Sequence, residues 1–232
     1  MFKNFFLALI LMGLLSPCPG QRRPTLSLEP CLDSLAVRQG VHYAVALMVS
    51  IPDTAHPRSL MTWPRVRLGH VFLGLYADDG RRRKAVYIGF YARSPALAFT
   101  TGLPVTSRLV DNGAHEYQAL MVRRVDSSVW KVILERLRLD AAKRYSVLGF
   151  NCVHFALDVF NAASTHPLRV PLARLPGERT GGHLTPNGVY IQLQALRLAS
   201  EGVVLRHGTA ADFWPAADTA SSPWAPVRQR RH

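Results

Sequence analysis

The sequence predicts an α+β domain, and three stretches predict it. Residues 68–76 and 85–92 are apolar, alternating runs separated by the turn signal Asp78-Asp79-Gly80, which reads as an antiparallel hairpin. Residues 127–139 set Val129, Trp130, Ile133, Leu134 and Leu137 at helical spacing, giving one buried stripe. Residues 145–164 read as a short loop feeding a second amphipathic helix that opens at Cys152. At 232 residues, 48% hydrophobic and 19% charged, the chain has room for one sizeable domain and is not disordered as a whole.

Taken in order, residues 1–20 read as a secretory signal. Lys3 supplies the positive start, residues 5–15 are an apolar run of signal length, and Ser16-Pro17-Cys18-Pro19-Gly20 breaks the helix. Cleavage after Gly20 is the leading expectation. An uncleaved anchor and a lipid on Cys18 are the other readings, and Pro17 fits the lipid poorly. The expected location is therefore secreted or periplasmic. Residues 21–209 are expected to form a single domain. Residues 210–232, rich in alanine, serine and proline and carrying Arg228, Arg230 and Arg231, are expected to be a loosely ordered basic tail.

Inside the domain, residues 41–51 read as a buried strand and residues 52–64, with three prolines, as a loop. In residues 68–76, alternation puts His70, Phe72, Gly74 and Tyr76 on one face and Val71, Leu73 and Leu75 on the other. In residues 85–92 it separates Tyr87, Gly89 and Tyr91 from Val86, Ile88 and Phe90. Residues 94–113 read as a long surface loop. Residues 116–125 form another strand, and Asp126 caps the helix at 127–139. Asn151 caps the next helix, whose apolar face joins Cys152 to Phe155, Ala156, Val159, Phe160 and Ala163. Residues 167–182 are loop. Thr185-Pro186-Asn187-Gly188 looks like an N-cap with proline at the first helical position, opening a helix to about residue 200. Residues 203–206 read as a short strand.

Cys152 is the candidate nucleophile. It stands where the positive end of a helix dipole favours a thiolate. The competing reading is an inert core cysteine, the commoner fate of a buried thiol. A third reading is a disulfide with Cys31, since these two cysteines remain once residues 1–20 are removed. His154, two residues after Cys152, diverges from it on a helix and suits a structural role. His70 interrupts an apolar strand and is the candidate general base. Nothing resembles spaced metal ligands, and neither a metal nor a cofactor is expected. The formal net charge of +13 favours anionic partners, including a membrane surface, but the basic residues are scattered and a merely solvated basic surface is the preferred reading. No motif points to specific nucleic-acid recognition. The sequence does not set an oligomeric state.

Three motifs share one order: Gly69-His70-Val71-Phe72, Gly89-Phe90-Tyr91 and Asn151-Cys152-Val153-His154-Phe155-Ala156. In that order they resemble the circularly permuted papain-like cysteine hydrolases, the NlpC/P60-related superfamily with its lecithin:retinol acyltransferase-like branch. The resemblance spans roughly residues 66–196 and takes in the Thr185-Pro186-Asn187-Gly188 start. It implies a small antiparallel sheet with the cysteine helix packed across it, His70 reaching Cys152, and an acyl-enzyme mechanism. The next strand departs from the family pattern, offering Tyr87 and Tyr91 where a polar residue usually orients the histidine. The candidate orienters are Tyr87 through its hydroxyl, a water and a backbone carbonyl. The implied function is cysteine amidase or peptidase activity on a peptidoglycan peptide or related envelope substrate. The alternatives are lipid acyltransfer or phospholipase chemistry with the same pair, and a non-catalytic envelope-binding module.

Overall fold

A computed structural model of the chain describes residues 24–60, 68–174, 181–197 and 202–213. A six-stranded sheet forms its centre: β1 (His42–Ser50), β2 (His70–Asp78), β3 (Arg83–Ala92), β4 (Ser107–Asp111), β5 (Glu116–Val125) and β6 (Val203–Thr209). Their spatial order is β4-β3-β2-β1-β5-β6, and every adjacent pair is antiparallel. Five helices accompany the sheet among the described residues: α1 (Leu28–Ser34), α2 (Pro95–Thr101), α3 (Ser127–Ala141), α4 (Cys152–Asn161) and α5 (Pro186–Leu196). The architecture is α+β, as the sequence predicts.

Both faces of the sheet are buried, which is why β1 reads as a nearly continuous apolar run. On one face Val45, Leu47 and Val49 of β1, Val71, Leu73 and Leu75 of β2, and Ile88 and Phe90 of β3 pack with α3, α4 and α5. Phe90 stacks on Phe155 of α4 at 4.9 Å between ring centroids. On the other face Ala44, Ala46, Met48, Phe72, Tyr76, Tyr87, Tyr117 and Leu120 form a smaller cluster closed by Phe213. The helices begin where the sequence places caps. Asp126 accepts from the amides of Ser128 and Val129, and Thr185 accepts from Gly188. In both cases the side chain satisfies first-turn donors that the helix cannot.

Three expectations need correction. Residues 94–113 are not a plain loop: they hold α2 and the edge strand β4. Both are short, and β4 carries Ser107, Arg108 and Asp111 in five residues, so neither gives a clear apolar period. β6 runs from Val203 to Thr209, longer than the 203–206 expected, because it pairs with β5 along most of its length. The domain does not stop at residue 209. Residues 210–212 make a 3-10 turn, and Ala210 and Phe213 are buried against the second face. The expected signal segment at 1–20 and residues 214–232 lie outside the described residues.

Candidate functional site

Cys152 opens α4 through its neighbour Asn151. The Asn151 backbone is extended, and its side-chain oxygen accepts from the amides of Val153 at 2.9 Å and His154 at 3.3 Å. His154 returns the contact through its own side chain, completing a capping box and filling the structural role expected of it. The Asn151 amide nitrogen donates to Val147 O at 3.1 Å and Leu184 O at 3.3 Å. One side chain thus ties the preceding loop, the helix start and the approach to α5 together.

The Cys152 thiol lies in the core beside β2. Burial pushes it up to about 11, while the backbone amides of Val71, Cys152 and Val153 pull the other way. Desolvation therefore outweighs the helix N-terminus, and the thiol is neutral at physiological pH. Tyr145 feels the charge of Cys152 and is itself raised chiefly by burial. Cys31 in α1 is also a free, buried thiol pushed up to about 11 by burial, so neither cysteine is bridged.

His70 opens β2 and is 8% exposed. Its ring stacks on Tyr91 at 4.3 Å, on His115 at 5.4 Å and on Phe72 at 5.9 Å. Phe72 belongs to the second face, whereas Val71 packs with Cys152 on the first. Alternation along β2 therefore sets His70 on the Phe72 face and Val71 on the Cys152 face, while the backbone amide of Val71, next in the chain to His70, contacts the Cys152 sulfur. With the two-residue period of the strand, only the Val71 side chain can face α4 once His70 faces away. The division of β2 into two faces is legible in the sequence; the side that receives the helix is the part that misleads. The uniformly aliphatic Val71, Leu73 and Leu75 were the better match for an apolar helix.

Tyr87 is not the orienter of His70. Its hydroxyl donates to the Phe213 carbonyl at 3.3 Å. The ring stacked on His70 at 4.3 Å is that of Tyr91, two residues beyond Gly89, where the β2–β3 pairing ends at Phe72. Tyr91 in turn accepts at its hydroxyl from Asn112 Nδ2 at 3.1 Å.

The motif residues serve the fold. A Cβ at Gly69 would lie 2.7 Å from both Pro186 Cβ and Ser50 O, so only glycine lets α5 start against β2. A Cβ at Gly89 would lie 2.6 Å from the Tyr91 ring and 2.7 Å from Asn112. Asn187 donates to Pro57 O at 2.8 Å and Ser59 O at 2.9 Å, anchoring the loop after β1 to the start of α5.

Sequence reasoning missed a polar cleft of about 420 Å³ at the far end of β1, between the loop that follows it, β5, β6 and α5. Asp53, Thr54, Gln118, Tyr190 and Arg206 are among its lining residues. They come from four separate stretches, and no local motif marks them. Gln118 falls at a register irregularity between Tyr117 and Ala119 in the β5–β6 pairing. A bulge of that kind re-aims a side chain and leaves no signature in the sequence.

Among the described residues no group of three or more histidine, cysteine, aspartate or glutamate side chains is placed to hold a metal ion. No helix among them is long and apolar enough to cross a membrane. Compared with family models, curated proteins and solved structures, the chain matches none.

Proposed function

We propose that the chain is a non-catalytic envelope-binding module built on a papain-like scaffold. One observation carries the reading: strand alternation sets the His70 ring with Phe72 on one face of β2, while Cys152 packs with Val71 on the other. The buried thiol held up to about 11 supports it, because a nucleophile needs the thiolate. The secretory reading of residues 1–20 supplies the compartment. Purified peptidoglycan sacculi should retain the protein in a sedimentation assay, and Cys152→Ala and His70→Ala should be retained as well as wild type. Release of peptide fragments from the sacculi by wild type but not by Cys152→Ala would overturn the proposal.

A second reading has its own support. The amides of Val71, Cys152 and Val153 converge on the Cys152 sulfur, an arrangement suited to a thiolate or an oxyanion. On that reading the chain is a cysteine hydrolase cleaving an envelope amide, or a lipid ester by the same chemistry, with a base other than His70. Fragment release that needs Cys152 and survives His70→Ala would select it.

A further inference from the structure

We infer that the cleft between the end of β1, β5 and β6 binds a neutral saccharide unit of an envelope glycan; this deepens the binding-module reading and rests on it. Its volume of about 420 Å³ falls within the ~300–1,000 Å³ of small-ligand sites.

The lining has the chemistry that a ring of hydroxyls requires. A sugar presents neighbouring O–H groups that donate and accept together, beside patches of C–H. Such a ligand is matched by planar groups of both kinds with some apolar surface. Asp53 supplies a carboxylate, Gln118 an amide and Arg206 a guanidinium, with hydroxyls from Thr54 and Tyr190 and an apolar patch from Leu205. Charge selects against the simple alternatives. An anion would meet Asp53, a cation would meet Arg206, and a neutral polyhydroxylated ligand can use both.

The polar groups are also held in place. Ile51 N donates to Gln118 Oε1 at 2.9 Å, which leaves the two Nε2 hydrogens directed away from that contact. Asp53 Oδ1 accepts from the amides of Ala55 at 2.8 Å and His56 at 3.3 Å. The His56 side chain, followed by the Ala55 amide, holds the Asp53 carboxyl below its ordinary value, so it stays an acceptor. The Arg206 Nε donates to Tyr117 Oη at 3.4 Å, leaving its terminal nitrogens for the cleft. Tyr190 Oη accepts from Gln194 Nε2 at 3.3 Å. Groups fixed before a ligand arrives lose less freedom when it binds.

The test titrates the full chain with N-acetylglucosamine tetrasaccharide by calorimetry, alongside sacculus sedimentation. Arg206→Met and Thr54→Val are the variants, because both side chains are exposed and removing them leaves the core intact. Tetrasaccharide binding by wild type, weakened about tenfold or more in Arg206→Met with the unfolding midpoint unchanged, is the expected result. Equal binding by wild type and both variants would overturn the assignment to this cleft. Sacculi retained with no tetrasaccharide bound would overturn the saccharide inference and leave the binding module standing. Tetrasaccharide bound through the cleft with sacculi not retained would support the site and sink the envelope reading.

Discussion

Asn151 does more for this domain than its cysteine neighbour. It caps α4, and its amide nitrogen bonds two carbonyls from separate loops. Asn151→Ala removes the cap and leaves buried groups without partners, and should cost about 2–4 kcal/mol in urea unfolding. Asn151→Asp keeps the acceptors but loses the two donations, and should fall between. Equal stability of all three proteins would contradict this role. Gly89 gives a second test at the same scale. Its Cβ would meet Tyr91 and Asn112 inside 2.8 Å, so Gly89→Ala should lose about 1–3 kcal/mol. The Asn151 cap was legible from its type and position. The need for glycine at 89 was not, because it depends on Asn112, which arrives from the loop after β4.

Among the elements, legibility follows how local the cause is. β5 spans Glu116–Val125 and α3 starts after Asp126, as the sequence predicts, since periodicity and a cap lie within each segment. β4 and the 3-10 turn at 210–212 were missed, since pairing and burial by distant residues create them. β4 exists by pairing with β3 across Phe90 and Leu109. The turn exists because Phe213 fills the second face beside Tyr76 and Tyr117, with ring centroids 6.2 Å away in each case. Phe213→Ala should therefore lose about 3 kcal/mol. If residues 210–213 were a loose tail, the substitution would be silent in thermal unfolding. The candidate site is decided at this scale too. Each motif was correctly set on its strand or helix, but which face of β2 meets α4 is a tertiary choice.

At the scale of the whole molecule, the burial of both sheet faces sets how the protein responds to alkali. Cys31 and Cys152 are each raised from 9.0 to about 11, and Tyr76, Tyr87 and Tyr145 are raised in the same direction. In the unfolded chain these groups lose their protons first. Between about pH 9 and 11 the unfolded state therefore binds fewer protons than the folded one, and stability falls as pH rises. The two thiols account for at most about 3 kcal/mol each. Urea midpoints should drop across that interval, and Cys31→Ser with Cys152→Ser should make the drop shallower. A profile flat from pH 8 to 11 would contradict the burial of these groups.

The pH profile of Cys152 alkylation tests most directly the proposal that His70, on the Phe72 face of β2, does not activate Cys152. In Cys31→Ser, the account predicts slow alkylation near neutral pH, a rise only in strong alkali, and the same profile after His70→Ala. Rapid alkylation well below the free-thiol value of about 8.5, abolished by His70→Ala, would mean that the two side chains meet and that the proposal is wrong.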